Sequence, residues 1–151
     1  MQFEALSRHI DTSKVAFRND TLFIAHTLGT FDVALILGLF YHFRHPMLFL
    51  DYCSHIEADR FIFSTQVVDA TRPIMWNRVG HSVFKGEVRG WQPERTMFSA
   101  MLGASGFQVD HACDAPAHFG NRHYVFCTRV KPVETDIDAI VRLSKFDGFW
   151  C

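Results

Sequence analysis

A chain of 151 residues, 48% apolar and 21% charged, has the size and composition of one globular domain. Its formal net charge of −1 excludes bulk attraction to nucleic acid as an organising feature, though not a local basic patch. The longest apolar stretch, 33–43, contains His42 and falls well short of the ~20 residues that cross a bilayer, which excludes a membrane span.

Taken in chain order, residues 3–10 (FEALSRHI) read as the end of an amphipathic helix and 13–18 (SKVAFR) as a short strand, with a turn at Asn19-Asp20-Thr21. Residues 31–39 (FDVALILGL) form a short apolar run bounded by turn residues, the pattern of a strand buried on both faces. Pro46 suits the first turn of a helix over 46–57, which puts Met47, Leu50 and Cys53 on one face. A second buried strand follows at 60–68 (RFIFSTQVV). Residues 69–92 hold Pro73, Gly80, Gly86 and Gly90 and read as one long irregular loop, a length that in a compact domain points to function or disorder. A helix over 93–105 stops at Gly106, strands follow at 107–112 and 124–130 around a turn with Gly120-Asn121, and 134–146 reads as a short helix before an apolar tail at Phe149-Trp150. Helices alternating with buried strands imply an α/β sheet, parallel at first and closed by an antiparallel hairpin. The domain is expected over 1–133, with a helix and tail over 134–151. The 16 Phe imply an aromatic-rich core or an exposed apolar face. Cys53, Cys113, Cys127 and Cys151 show no CxxC spacing and suit free thiols in a reducing cytoplasm; residues 1–20 are charged throughout, unlike a signal peptide.

Two stretches carry a resemblance. Gly29-Thr30-Phe31-Asp32-Val33 with the following LGLFYHFRHP (37–46) is similar to "FDvvlxlgxLYHlrdP", the fourth strand and adjoining loop of class I S-adenosylmethionine-dependent methyltransferases. Trp91-Gln92-Pro93, Met101-Leu102 and Ser105-Gly106-Phe107 resemble that family's "W…P…ML…aGF" stretch. The resemblance covers about 3–131 and is nearest the branch of tRNA wobble-uridine carboxymethoxy methyltransferases. It implies a partial Rossmann-like sheet, mostly parallel with a C-terminal antiparallel hairpin and lacking the first two strands. The family's glycine-rich loop after the first strand, where backbone approaches the cofactor, has no counterpart here. The expected cofactor is therefore S-adenosyl-L-methionine, bound weakly or not at all by this chain alone, and the expected acceptor is a small molecule or tRNA. Loss of the central first strand would leave 31–39 with an unpaired edge, to be covered by the third strand, by a second copy or by a complementing chain.

By the same resemblance, Asn19 and Asp20 would contact the adenine, and backbone groups at Leu37 and Gly38 the methionine part of the cofactor. An Asx-type turn is the alternative for Asn19 and Asp20, and close packing in a strand the alternative for Gly38. His42, with Tyr41 beside it, is the candidate catalytic side chain, since methyl transfer needs an acceptor aligned more than it needs strong acid–base work. His42 and His45 have an i, i+3 spacing but no third ligand, so no metal is expected. Arg72, Trp76, Arg78 and Trp91, with Lys85 and Arg89, interleave basic and aromatic residues and are the candidate acceptor contacts; a solvated loop is the alternative.

Overall fold

The computed structural model describes residues 22–78, 90–143 and 145. The expected helix at 3–10, the strand at 13–18, Asn19, Asp20, Lys85, Arg89 and the tail at Phe149-Trp150 lie outside the described residues.

A four-stranded sheet organises the fold. Its strands are β1 (Phe31–Leu37), β2 (Ala58–Gln66), β5 (Phe107–Asp114) and β6 (Arg122–Arg129), arranged β1-β2-β6-β5. β1 and β2 pair in parallel; β6 is antiparallel to both its neighbours, so three of the four strands point the same way. This is the mostly parallel sheet with a closing antiparallel hairpin that the element order implies. β1 and β2 are joined by a crossover through a 3₁₀ turn (Phe40–His42) and helix α1 (Pro46–Ser54), with Pro46 in its first turn. Helix α2 (Arg95–Ala104) precedes β5, and a short helix α3 (Ile137–Leu143) follows the sheet.

The stretch expected to be one irregular loop contains a two-stranded antiparallel ribbon, β3 (Met75–Arg78) with β4 (Gly90–Pro93). Only four residues form each arm, too few for a hydrophobic period to register, and Pro93 and Gly90 masked the strand in the sequence.

One face of the sheet carries the core. Ile36, Phe61, Phe63, Val125 and Cys127 alternate inward along β1, β2 and β6, and α1 and α2 cover them with Phe49, Leu50, Tyr52, Phe98 and Leu102. The rings interlock edge to face: Phe61 and Phe63 each meet Phe107, at 4.9 and 5.1 Å between centroids. Tyr52, fully buried, donates from its hydroxyl to the Leu22 carbonyl at 3.0 Å and accepts from the His26 amide at 3.3 Å, tying the 3₁₀ turn Leu22–Thr27 to α1. Burial pushes its pKa up to about 12. The Glu94 carboxylate caps α2 by accepting from the amides of Thr96 and Met97 at 2.9 and 3.2 Å and from the Thr96 hydroxyl. These bonds hold its pKa below the usual carboxylate value.

β1 departs from expectation. A strand buried on both faces was the reading of its apolar run, yet Phe31, Val33, Leu35 and Leu37 are 40–59% exposed, and only Ile36 is buried. The reason is topological. β1 is the border strand among the described residues, and the three helices pack on the opposite face. Among the described residues the Phe serve both purposes, most lining the core and Phe31 standing exposed.

Candidate functional site

In open α/β sheets ligands bind beyond the carboxyl ends of the parallel strands. Here the ends of β1 and β2 meet at Gly38 and Ser64. The Gly38 amide donates to the Ser64 carbonyl at 3.0 Å and to its hydroxyl at 3.2 Å, continuing the ladder one residue past the strand. Gly38 has φ +70°, and a Cβ there would stand 3.2 Å from Arg122 Nη1 and 3.3 Å from Tyr41 Oη. Backbone conformation and space both call for glycine, so close packing, one of the two readings of this residue, describes it well. A guanidinium and a phenol thus both approach the place a side chain here would take.

Arg122 reaches this point because β6 runs against its neighbours, which places the start of β6 beside the ends of β1 and β2; Arg122 pairs with Gln66 in the ladder. Its Nη1 donates to Ser64 Oγ at 3.3 Å. Among the described residues no carboxylate lies within ion-pairing distance of it. Tyr41 is buried, and its ring lies 4.3 Å from that of His42 between centroids. Two hydrogen-bond donors thus flank Gly38 with capacity to spare, a combination suited to an anionic group.

The carboxyl end of the sheet is held by a polar network. Arg95 grips Asp114 with Nε at 3.1 Å from both carboxylate oxygens, and its Nη1 reaches Asp69 at 2.7 Å. His123 Nδ1 lies 2.7 Å from Asp114 Oδ1, and Asn121 donates to Asp69 at 3.5 Å. The network ties α2, the segment after β2 and the β5–β6 hairpin together, which fixes where Arg122 emerges. Gln92 of β4 donates to the Gln66 side chain at 3.0 Å, bringing the ribbon to the same end.

The ribbon touches the crevice at a second place. Gly90 has φ +125°, and a Cβ there would fall 1.6 Å from the Tyr41 carbonyl oxygen, so backbone packs directly on backbone. Next to it Trp91 Nε1 donates to the Arg44 carbonyl at 3.2 Å.

The expected site residues therefore divide. Tyr41, His42 and Gly38 lie together just past the end of β1. His42 is exposed, and partial desolvation lowers its pKa. Leu37 stands at the end of β1 with its side chain on the uncovered face, 47% exposed. Trp91 is half-buried and braces the loop that follows Tyr41 and His42. Trp76 is 54% exposed on β3, Arg78 ends that strand, and Arg72 is exposed before it. Ser64 and Arg122 were not singled out in the sequence. A serine inside the apolar run RFIFSTQ was the available signal for the first; nothing local marks the second, since only the antiparallel strand brings it there. Among the described residues no cluster of His, Cys, Asp and Glu could hold a metal, and no helix is long and apolar enough to cross a membrane.

No family model matches the chain, and no curated protein matches its sequence. Solved structures do. A Listeria monocytogenes protein assigned as an S-adenosylmethionine dependent methyltransferase superposes with TM-score 0.53 at 16% identity, the match covering 84% of this chain and 75% of that one. The 1,6-didemethyltoxoflavin-N1-methyltransferase of Burkholderia thailandensis, solved with 1,6-didemethyltoxoflavin and S-adenosylhomocysteine, gives TM-score 0.52 at 16% identity over 87% of this chain and 57% of its own. TnmH gives 0.53 at 14% identity over 76% and 34%. The chain thus spans less than two thirds of the length of the latter two. At such identities the likeness is one of fold: the sheet order, the crossover and the closing hairpin are those of part of a class I methyltransferase.

Proposed function

We propose that this chain forms the acceptor side of an S-adenosylmethionine-dependent methyltransferase crevice, and that methyl transfer requires further polypeptide to hold the rest of the cofactor. The observation that carries the reading is the convergence of Gly38, Ser64, Tyr41 and Arg122 at the carboxyl ends of β1 and β2, where this fold binds ligands.

The residues present fit one part of such a ligand. The Gly38 amide is already engaged by Ser64, leaving the Tyr41 hydroxyl and the Arg122 guanidinium as the available donors. They suit a carboxylate or phosphate, and so match the carboxylate of the cofactor's methionine portion or an anionic acceptor. The bound cofactor would supply a methyl group on a sulfonium. Arg122 would orient the anionic group, and Tyr41 would donate to it. His42, whose pKa desolvation lowers, would accept the proton that an O–H or N–H acceptor gives up. Alignment of the acceptor supplies most of the rate in this kind of reaction.

A tRNA acceptor, as in the wobble-uridine branch the sequence resembles, is favoured by Trp76: a large ring exposed on the ribbon, with Arg72 before it and Arg78 ending its strand, is a platform on which a base can stack.

The test is a titration of S-adenosylhomocysteine into the isotope-labelled chain, followed by amide chemical shifts. Weak binding, on the order of millimolar, should move the amides of Gly38, Tyr41, His42, Ser64 and Arg122. Arg122→Gln should weaken it several-fold. Shifts confined to other parts of the sheet, or none at saturating ligand, would remove the basis of the proposal.

A further inference from the structure

The backbone of Arg122 is fixed on both sides. Its amide donates to the Gly120 carbonyl at 2.8 Å, and its carbonyl accepts from the Ala115 amide at 2.8 Å. The side chain is held far more lightly. A guanidinium carries several N–H donors on a long, flexible stem. Among the described residues a single hydrogen bond steadies this one: Nη1 donates to Ser64 Oγ at 3.3 Å.

Ser64 is 1% exposed. Along β2 it falls between Phe63 and Thr65, so its side chain leaves the sheet on the face away from the Phe61 and Phe63 core. Its Oγ also accepts from the Gly38 amide at 3.2 Å, but that amide already donates to the Ser64 carbonyl at 3.0 Å. The backbone bond alone carries the ladder past β1, so the pairing of β1 with β2 does not need the hydroxyl. Packing does not ask for it either, since an interior strand position suits a β-branched or apolar residue better than serine. What only the hydroxyl supplies is an acceptor that holds Nη1 over Gly38, where a Cβ would stand 3.2 Å from it.

We infer that Ser64 is a positioning residue, whose hydroxyl aims the Arg122 guanidinium at the place beside Gly38 and Tyr41 where an anionic group is held. Its use in binding rests on the anion-binding reading proposed above, whereas the aim itself is a property of the free chain. Without the hydroxyl the guanidinium samples many rotamers, and a ligand must then order it at the moment of binding.

Nuclear relaxation of the arginine Nε groups in the free, isotope-labelled chain tests the aim. In Ser64→Ala the Arg122 Nε should become markedly more mobile, while those of Arg95 and Arg129, each held by a carboxylate, stay as in the parent. Ser64→Cys, a weaker acceptor of nearly the same volume, should release Arg122 in the same way. Titration with S-adenosylhomocysteine tests the use. Ser64→Ala should cut the initial slope of the Tyr41 and His42 amide shifts about fivefold, as the loss of a hydrogen bond to a charged group implies. In an Arg122→Gln background the same substitution should change that slope by roughly twofold at most, because the group it aims is gone. An Arg122 Nε as ordered in Ser64→Ala and Ser64→Cys as in the parent would overturn the inference. So would equal losses from Ser64→Ala with and without the Arg122 guanidinium. A titration that Arg122→Gln leaves unchanged counts against the anion-binding reading instead, and the relaxation measurement then decides alone whether Ser64 aims Arg122.

Discussion

Two glycines with opposite requirements show how single positions are set. Gly90 faces the Tyr41 carbonyl and has a positive φ, so Gly90→Ala should cost about 2 kcal/mol or more and lower Tm on the order of 5–10 °C by calorimetry. Gly103, inside α2 with nothing within 4 Å of its would-be Cβ, is the converse. Gly103→Ala should raise stability by about 0.5–1 kcal/mol by the same measurement, because alanine loses less backbone freedom on entering a helix. The cysteines divide as clearly. Cys113 is exposed, whereas Cys53 and Cys127 are buried. Desolvation pushes the Cys127 thiol up to about 12 and raises Cys53 as well. Alkylation at pH 8, read by mass spectrometry of the separate peptides, should label Cys113 within minutes and spare Cys53 and Cys127 until denaturant is added. At this scale the sequence was readable where a residue's setting was local: Gly38 stands just past an apolar strand, as its place in the run suggested. Arg122 stayed hidden because its neighbours come from two strands distant in the chain.

Among elements, the hairpin of β5 and β6 depends on the Arg95–Asp114–His123 network. The Arg95 guanidinium, with the His123 ring, holds the Asp114 carboxyl below its usual value of 3.8. A depressed carboxylate pKa means that the unfolded chain takes up the proton first. Its contribution is therefore present above the ordinary carboxylate range and is lost as pH falls through the depressed value. Urea midpoints should drop as pH falls from about 5 toward 3, and Asp114→Asn should flatten part of that slope. The longer elements were legible because period and punctuation agreed: Pro46 opens α1 where expected, Gly106 ends α2, and FDVALIL and RFIFSTQ are strands. The ribbon escaped notice, since strands of four residues pair through backbone and carry no pattern of their own. β1 was recognised as a strand and misjudged in burial, because its apolar residues are those of an interior strand while its place in the described fold is at the border.

For the whole molecule, the alternation of helices and strands was enough to infer the sheet, its parallel start and its antiparallel close. That the described helices gather on one face could not be read from the sequence, because composition states what a surface prefers and topology decides what it meets. The antiparallel course of β6 has an evolutionary corollary. The connection at 115–121 delivers the first residue of β6 to the carboxyl ends of the parallel strands, while the hydrophobic interior is made by the remainder of β6. Selection can therefore recolour that connection, and so change what stands around position 122, without disturbing the apolar core. Descendants of such a scaffold would diversify in what they recognise sooner than in how they fold.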